Sequence, residues 1–212
     1  MYEATKRLFD LTAAVVGLAL LAPLLGLIAG AAWLGGLRPV LFRQLRTGYH
    51  EQPFFVLKFR TMTQQTDAAG RLLPDAARLT GLGRALRRAS FDELPQLWNV
   101  LRGELSLVGP RPFLHEYLPL YSAAQKRRFL ARPGITGWAQ KHGRNARNWD
   151  EKFALDNWYV AHRGWALDIR ILLRTLRHLL GHGRQSGDDA PASRFTGQPS
   201  SRPPDAATLI RP

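Results

Sequence analysis

The sequence contains no cysteine, and this absence excludes several kinds of chemistry. A chain without thiols has no disulfide framework, no thiolate nucleophile and no cysteine-ligated zinc site. Acidic residues are also scarce, because 16 Asp and Glu face 30 Lys and Arg and leave a formal net charge of +14. This excess predicts an anionic partner, which would be a nucleic acid, acidic lipid headgroups or a phosphorylated substrate.

Charge is missing altogether from one long apolar segment near the N-terminus, residues 11–37. The segment exceeds the length of about 20 residues that a membrane helix needs, and its length and context do not fit a cleaved signal peptide. Pro23 lies at its centre, where a proline removes a backbone hydrogen bond and bends or breaks a helix. Basic residues flank both ends, namely Lys6 and Arg7 before it and Arg38, Arg43 and Arg46 after it.

Three structures of this segment agree with the pattern. Positive charge at both ends favours a re-entrant helix that bends at Pro23 and leaves the membrane on the side it entered. A kinked helix that crosses the bilayer and a buried core helix are the alternatives. In the re-entrant structure each arm would have roughly 12 residues, about 18 Å, and would reach partway through a hydrocarbon core of about 30 Å.

The rest of the chain predicts one small domain over residues 38–180, because apolar residues make up 45% of the 212-residue sequence. The expected fold is mostly α-helical with a short β-hairpin, and amphipathic helices cover its surface. The hairpin is predicted to pair residues 40–43 with 54–59, and helices are predicted over 79–88, after Asp92, over 114–130 with a break near Pro119, over 150–160 and over 168–180. Residues 181–212 are rich in Gly, Ser, Pro, Asp and Ala and are predicted to form a disordered tail.

Two adjacent carboxylates, Asp92 and Glu93, stand out in so basic a chain. One interpretation is structural, because Ser90 and Glu93 have the spacing of a capping box and a helix N-terminus favours ionised carboxylates. Pro95 fits best in the first turn of a helix, so the helix would begin nearer Asp92 and one acid would exceed what capping needs. The other interpretation is chemical, because an ionised Asp there can act as a nucleophile or a metal ligand.

Several basic residues have positions suited to phosphate binding. Arg111 lies between two prolines, which restrict the backbone that carries its guanidinium fork. Lys58 and Arg60 end an apolar strand and share one face if that strand is regular. Further candidates are Arg87 and Arg88 on the predicted amphipathic helix, for which a solvated face is the alternative, and Arg132 on a Pro-Gly turn.

Together, six segments resemble the bacterial sugar transferase family, the monotopic phosphoglycosyl transferases. They are KRLFDLTAAVVGLALLAPLL, PVLFRQLRTG, FFVLKFRTM, LRRASFDELPQLWNVLRGELSLVGPRP, RPGITGWAQKHGRN and EKFALDNWYV, in the order that the family has them, over about residues 4–180. The combination is specific, although no single short motif is. Three departures are Ala22 where the family often has Ser, RTG and HEQ where the hairpin turn usually has RPG and a glycine, and GELSL for GDMSL.

The resemblance implies that a phospho-sugar moves from a UDP-sugar to undecaprenyl phosphate, a polyprenol phosphate, with release of UMP. Asp92 corresponds to the nucleophile that forms a covalent phospho-sugar enzyme, and Glu93 to a residue associated with Mg²⁺ binding and with activation of the lipid phosphate. The family's re-entrant helix breaks at a proline that corresponds to Pro23. The location that follows is the cytoplasmic face of a bacterial inner membrane, where the reaction would initiate glycan assembly.

Elementary electrostatics agrees with these implied roles. A carboxylate that attacks a diphosphate meets a repulsion on the order of 4 kcal/mol per charge pair at about 4 Å and an effective dielectric of 20. Mg²⁺ and fixed cations must offset it, and Lys58, Arg60 and Arg111 are the first candidates, ahead of Arg87, Arg88 and Arg132. Expected partners are the UDP-sugar, undecaprenyl phosphate and anionic membrane lipids; nucleic acid is not expected, and a homodimer is an open alternative.

Two rival functions belong to other classes. A membrane-attached basic module that binds nucleic acid or lipopolysaccharide would suit the charge and the six tryptophans, but it leaves Asp92, Glu93 and Arg111 unexplained. A catalytically silent scaffold is disfavoured because every position assigned to chemistry carries a suitable residue. The six histidines lack metal-ligand spacing and are interpreted as surface or structural, and Asp156 is assigned equally to a substrate pocket or to the core.

Overall fold

The structure, a computed structural model, describes residues 1–142, 148–180 and 194–198. The described chain is mostly α-helical with two small two-stranded sheets, so the predicted fold class is confirmed in outline. Its α-helices are α1 (Tyr2–Leu34), α2 (Asp75–Arg78), α3 (Gly81–Ala89), α4 (Gln96–Leu101), α5 (Ala123–Lys126), α6 (Trp138–His142), α7 (Trp149–His162) and α8 (Trp165–Leu180). Its strands are β1 (Leu41–Thr47), β2 (Pro53–Phe59), β3 (Ser106–Val108) and β4 (Gly134–Thr136), and short 3₁₀ helices cover Tyr49–Glu51, Phe91–Glu93, His115–Leu120 and Arg127–Leu130.

The uncharged N-terminal segment forms most of α1, a helix of 33 residues with Pro23 inside it. Among the described residues, it alone is long and apolar enough to cross a membrane, as judged by length and composition. Only 11% of its most apolar window is buried by the rest of the chain. The low burial argues against the core-helix alternative, because a core helix is covered on most of its surface.

Both halves of α1 pack against the same body. Near the N-terminus, Lys6 forms a buried ion pair with Asp168 of α8 at 2.5 Å. Further along, Ala14 joins a hydrophobic cluster with residues of β2 and α4. Beyond Pro23, Ile28 joins a second cluster with residues of β2 and α3. The segment before the proline and the segment after it are therefore anchored to one domain.

The predicted hairpin is confirmed, with a longer first strand than expected. β1 and β2 pair antiparallel in a register that runs from Leu41 opposite Phe59 to Thr47 opposite Pro53. The turn includes His50 and Glu51, whose φ angles are 49° and 63°. Positive φ favours glycine, so the substitution of HEQ for a glycine-containing turn leaves two residues in a conformation that L-amino acids adopt at a cost.

The second sheet was not predicted from the sequence. β3 and β4 pair in parallel, with Ser106 opposite Gly134 and Val108 opposite Thr136. Gly109 follows β3 at a very close approach, because a Cβ atom there would lie 2.2 Å from the carbonyl oxygen of Arg132. Only glycine fits at this point, and the contact fixes the backbone that enters the Gly-Pro-Arg-Pro stretch.

Two helical predictions need correction. The helix predicted after Asp92 would place Leu94, Leu97, Trp98 and Leu101 on one apolar face, but Trp98 is exposed and the fully buried side chains of α4 include Asn99. Residues 114–130 do not form one helix broken near Pro119. They form two 3₁₀ helices and the short α5, with extended backbone at Tyr121, and Pro119 lies inside the first 3₁₀ helix. The predictions over 150–160 and 168–180 are confirmed by α7 and α8.

Of the predicted tail, the structure describes residues 194–198. Phe195 is only 3% exposed and packs in a cluster of aromatic side chains. A composition rich in small and polar residues predicted disorder, but it did not reveal that one aromatic residue would find a complementary site. The rest of the predicted tail, residues 181–193 and 199–212, lies outside the described residues.

Candidate active site

Asp92 and Glu93 lie in the 3₁₀ helix that joins α3 to α4. α3 ends at Ser90, whose φ of 57° turns the chain just before the carboxylates. Ser90 makes no side-chain capping bond to this turn, so the capping-box interpretation of Ser90 and Glu93 is wrong. Asp92 is 9% exposed, and Glu93 is partly buried beside it. The capping box therefore does not account for the pair of acids.

The carboxylate of Glu93 brings two of the predicted phosphate-binding residues together. Its Oε1 atom accepts hydrogen bonds from Nζ of Lys58 at 2.6 Å and from Nη2 of Arg111 at 3.4 Å. Burial alone would raise the pKa of Glu93, but the positive charges of Arg111 and Lys58 and their hydrogen bonds outweigh it and lower the pKa to about 2. Glu93 is therefore ionised at neutral pH and orients two cations next to Asp92.

Lys58 owes its position to a polar contact between α4 and the hairpin. Asn99 of α4 accepts the backbone N–H of Leu57 at 3.0 Å and donates to the carbonyl of Phe55 at 2.7 Å. Because α4 directly follows the turn that carries Glu93, these bonds fix that turn against the strand that carries Lys58. A buried asparagine thus sets the geometry of the ion pair.

The backbone of Arg111 is held by the buried ion pair of Arg128 and Asp156. Its carbonyl oxygen accepts a hydrogen bond from Nη2 of Arg128 at 2.5 Å. The same atom of Arg128 lies 2.7 Å from Oδ2 of Asp156, and both side chains are almost completely buried. Of the two roles predicted for Asp156, the structure therefore supports the one in the core. The pair thus holds the backbone of the Gly-Pro-Arg-Pro stretch, while Glu93 holds the side chain of Arg111.

Arg46 is a third cation at this site, and the sequence did not single it out for phosphate binding. It lies on β1 and forms an isolated β-bridge with Leu114, three residues beyond Arg111. Burial and the positive charge of Arg111 lower the pKa of Arg46 to about 10. Strand alternation could have found it, since residues 44 and 46 share a face, but the predicted strand stopped at residue 43.

Arg60 lies just beyond the end of β2 at Phe59, and its backbone N–H still donates to the carbonyl of Val40 at 2.8 Å. Its guanidinium carbon lies 5.7 Å from the ring centroid of Phe42, the register partner of Lys58. Its Nε atom donates to the carbonyl of Pro39 at 2.8 Å. Its role beside Lys58 in phosphate binding stays a prediction.

The other predicted cations have separate surroundings. Arg87 donates to Oγ1 of Thr61 at 3.0 Å, at the end of α3 that precedes the carboxylates. Arg88 is exposed on the same helix. Arg132 donates to the carbonyl of Gly103 at 3.3 Å, close to the N-terminal part of α1. None of these three hydrogen-bonds or ion-pairs with Glu93 within the described part of the chain.

Asp92 and Glu93 are the residues that could hold a metal ion. Within residues 1–142, 148–180 and 194–198, no group of three or more metal-ligating side chains occurs. Mg²⁺ usually takes one or two carboxylates and completes its shell with substrate phosphates and water. Both hydrogen bonds to Glu93 end on Oε1, so Oε2 can serve as a ligand. The donor set fits a magnesium ion that a diphosphate substrate helps to bind.

Comparison with known proteins agrees with this geometry. The uncharacterized sugar transferase EpsL of Bacillus subtilis is 52% identical over 193 residues, which cover 91% of this chain and 96% of that protein. The undecaprenyl-phosphate glucose phosphotransferase of Komagataeibacter xylinus is 44% identical, over 81% of this chain but 35% of that protein. The UDP-glucose:undecaprenyl-phosphate glucose-1-phosphate transferase of Caulobacter vibrioides is 44% identical over 84% of this chain and 70% of that protein.

The family match extends over nearly all of the described chain. It begins at residue 1, includes α1, and ends at residue 182, just after α8. Asp92, Glu93, Lys58, Arg111 and Pro23 all lie inside it. The chain therefore belongs to the family described as bacterial sugar transferase.

Proposed function

We propose that this protein transfers a sugar-1-phosphate from a UDP-sugar to undecaprenyl phosphate, releases UMP and so initiates assembly of a membrane glycan. The observation that carries the proposal is the Lys58–Glu93–Arg111 group next to Asp92, in a chain of this family. The names of relatives support the substrate class. Besides the two glucose enzymes, a relative from Salmonella typhimurium with 34% identity is an undecaprenyl-phosphate galactose phosphotransferase.

In the proposed mechanism, Asp92 carries the phospho-sugar between two substitutions at phosphorus. First, a carboxylate oxygen of Asp92 attacks the phosphorus that bears the sugar; the bond to the bridging oxygen breaks, and UMP leaves with that oxygen and its electron pair. Then an oxygen of the lipid phosphate attacks the same phosphorus, and the bond to Asp92 breaks. Each step exchanges one P–O bond for another and regenerates the free carboxylate at the end.

The cations near Asp92 would reduce the repulsion between an attacking carboxylate and a diphosphate. Lys58, Arg111 and Arg46 supply three positive charges for phosphate oxygens, and two are arginines that can form paired hydrogen bonds. A Mg²⁺ ion held by Asp92 and Glu93 would add charge neutralisation on the leaving phosphate. Because the pKa of Glu93 is about 2, it is a weak base, and we assign it to holding these cations and the metal rather than to proton removal.

We further propose that α1 is re-entrant and that the catalytic domain lies on the cytoplasmic face of the inner membrane. The contacts of Ala14 and Ile28 support this arrangement, because both residues are buried against the same domain. The helix between them is about 21 Å long at 1.5 Å per residue, which is less than a hydrocarbon core of about 30 Å. A helix anchored at both points to a domain on one side therefore cannot cross the bilayer between them.

A trapped intermediate tests the proposed mechanism. The purified protein should be incubated with Mg²⁺ and, in turn, UDP-glucose, UDP-galactose and UDP-N-acetylgalactosamine, without lipid acceptor. With the right donor we expect about one equivalent of UMP and a mass increase of one phospho-sugar on Asp92, which disappears when undecaprenyl phosphate is added. Asp92→Asn should abolish the adduct and turnover, because it keeps the shape of the side chain but removes the nucleophile.

The control is Asp75→Asn, which removes an exposed carboxylate on α2 that is paired with Arg78. It should leave turnover unchanged. If UMP forms only when the lipid is present and no adduct can be trapped, transfer is direct and Asp92 is a metal ligand. If the wild-type protein releases no UMP from any donor, the basic binding module or the silent scaffold becomes the better explanation.

A further inference from the structure

The short segment 194–198 makes a specific contact with the folded domain. The ring of Phe195 lies among four aromatic rings, with centroid distances of 5.8 Å to Tyr117, 5.4 Å to Tyr121, 5.3 Å to Trp149 and 5.2 Å to Phe153. The arrangement mixes stacked, tilted and edge-on geometries, which are the favourable ones for aromatic pairs. The segment therefore occupies a site shaped for an aromatic side chain.

Neighbours of Phe195 add to the contact. Arg194 lies 3.5 Å from the carboxylate of Glu116. Gly197 has a φ of 77°, and a Cβ atom built on it would lie 3.2 Å from Cβ of Leu120. Both partners belong to the 3₁₀ helix His115–Leu120, so the segment runs along this element as well as filling the aromatic site.

The aromatic site is continuous with the loop that carries Arg111. Trp149, which contacts Phe195, also meets the ring of Phe113 edge-on at 4.9 Å. Phe113 follows Arg111 by two residues, and its ring lies 4.1 Å from the guanidinium carbon of Arg128. Arg128 in turn donates to the carbonyl of Arg111. Phe195 is thus connected to the backbone of Arg111 by a series of contacts through the rings of Trp149 and Phe113 and the guanidinium group of Arg128.

We propose that residues 194–198 are an intramolecular docking segment, and that Phe195 is a positioning residue that holds the Arg111 loop in its active geometry. The occupant of the aromatic site is this chain's own C-terminal segment. The family match ends at residue 182, so the segment lies outside the part of the chain that the family model covers. The positioning role rests on the proposed transferase function, whereas docking itself does not.

The physical reason lies in what Phe195 covers. With Phe195 removed, the faces of Tyr117, Tyr121, Trp149 and Phe153 that contact it would meet water, and Trp149 would lose one of its neighbours. Trp149 packs on Phe113, so the support of the Arg111 loop would loosen. A misplacement of about 1 Å in a catalytic group can cost on the order of 100-fold in rate. A partial loss, about tenfold in kcat, is expected here.

Substitutions of Phe195 test the positioning role. Phe195→Ala should lower kcat for UMP release about tenfold, with little change in KM for the donor, because Arg111 acts mainly on the transition state. Phe195→Leu should recover most of the loss, since it refills the site with apolar atoms. Leu72→Ala, which truncates an exposed apolar side chain outside the aromatic site, should have no effect. Folded fraction and thermal midpoint are measured for each protein, so that a loss of folded enzyme is not mistaken for a loss of rate.

An engineered disulfide tests docking independently of the proposed function. Leu120→Cys with Gly197→Cys would introduce the only two thiols, and their Cβ atoms would lie close to the range of about 3.5–4.5 Å found in disulfides. The pair should oxidise faster and to higher yield than a control pair, Leu120→Cys with Leu72→Cys, whose second residue is exposed and lies outside the aromatic site. Because the positive φ of Gly197 strains any side chain, Gly197→Ala is measured beside the pair and should keep kcat and thermal midpoint near those of the wild type. In a protein that also carries Phe195→Ala, oxidation should leave kcat at its lowered value, because the disulfide holds the segment but returns no ring to the aromatic site.

The outcomes separate the two parts of the proposal. If the first cysteine pair oxidises no better than the control pair, the segment does not dock and the inference fails, whatever the enzyme activity. If the pair oxidises but Phe195→Ala keeps its kcat per folded molecule, the segment is only packing and the positioning role is overturned. If the wild-type protein releases no UMP, the proposed function fails while the disulfide result still decides docking.

Discussion

The side-chain amide of Asn99 hydrogen-bonds to the backbone of β2 on both sides of Val56, accepting from Leu57 at 3.0 Å and donating to Phe55 at 2.7 Å. A second donor of the same amide reaches Oε2 of Glu104 at 2.7 Å. The amide of Asn99 therefore makes hydrogen bonds to β2 of the kind that a neighbouring strand would make. Its oxygen and nitrogen both have hydrogen-bond partners, although the side chain is buried. Through this contact the turn with Asp92 and Glu93 keeps its position relative to Lys58.

We expect Asn99→Ala to lower both stability and activity. The substitution removes the partners of the N–H of Leu57 and the carbonyl of Phe55, which lie at part-buried positions, at a cost of about 1–3 kcal/mol in total. Chemical unfolding in detergent, followed by circular dichroism, measures the change in unfolding free energy. Asn157→Ala is the control, since it removes one bond to the carbonyl of Ala124 in a half-exposed site and should cost far less. Equal stability of the two variants would contradict the role of Asn99.

Lys58→Met should shift the pH dependence of the transferase reaction. The pKa of Glu93 is lowered to about 2 by Arg111 and Lys58 against the effect of burial, so removing Lys58 raises it towards its ordinary value. If the ionised form of Glu93 is required, activity should be lost at a higher pH in the variant than in the wild type. Initial rates of UMP release are measured for both proteins between pH 3 and pH 8, a range that includes the ordinary glutamate pKa of about 4.3.

The same ion pair should contribute to stability with a defined sign. A carboxyl group with a depressed pKa stabilises the fold above its unfolded pKa, and that contribution is lost as the pH falls through the folded pKa near 2. The unfolding free energy of the wild type should therefore decrease more steeply below about pH 4.3, the ordinary pKa of a glutamate, than that of Lys58→Met. Arg60→Met is the comparison. Arg60 hydrogen-bonds to the carbonyl of Pro39, so this variant should lose stability at low pH as steeply as the wild type. If Arg60→Met instead makes the loss of stability at low pH less steep, Arg60 lowers the pKa of Glu93 as Lys58 does.

Local patterns in the sequence predicted the parts of the site that depend on local structure. The alternation of apolar residues in FFVLKF gave a strand that ends near Lys58, and the two prolines around Arg111 identified a stiff loop with a phosphate-binding side chain. Asp92 and Glu93 were recognised because they are unexpected in a basic chain and because the surrounding segments resemble a family. In each case the signal lies within a few residues of the functional group.

The remaining features depend on contacts between distant segments. The strands β3 and β4 have three residues each and are stable only as a pair, so neither shows a period of its own. Asn99 appears in sequence as a polar residue in an apolar helix, and its role becomes visible only beside the edge of β2. Phe195 is a single aromatic residue in a polar tail, and its site is assembled from residues 117–153.

The buried pair of Arg128 and Asp156 should behave as a unit. Arg128→Met leaves Asp156 buried without its partner, and breaking a buried pair in this way costs about 3–5 kcal/mol. The double variant Arg128→Met with Asp156→Leu removes both charges and should recover much of that stability. It should not recover kcat, because the hydrogen bond from Arg128 to the carbonyl of Arg111 is still missing. Stability and kcat that recover together would show that this bond does not position Arg111.

Labelling of single cysteines should report the same side of the membrane for both ends of α1. The natural chain has no cysteine, so Ala4→Cys before the apolar segment and Ala68→Cys in the domain after it each provide one exposed site. We expect neither site to react with a membrane-impermeant maleimide in intact cells and both to react after lysis, because each end carries positive charge and packs on one domain. Reaction of Ala4→Cys from outside would show that α1 crosses the bilayer.

Replacing Pro23 alone should change this topology only in part. Pro23→Ala restores a backbone hydrogen bond and allows a straighter helix, which favours a crossing. Export of the N-terminus must still move Lys6 and Arg7 across the membrane and separate Lys6 from Asp168, with which it forms a buried ion pair. We therefore expect a small fraction of Ala4→Cys to become accessible in Pro23→Ala, and a much larger fraction when Lys6→Gln and Arg7→Gln are added. Full export by Pro23→Ala alone would make the proline the main determinant of topology, and no export in the combined variant would mean that the packing of Ala14 and Ile28 suffices to hold α1 on one side.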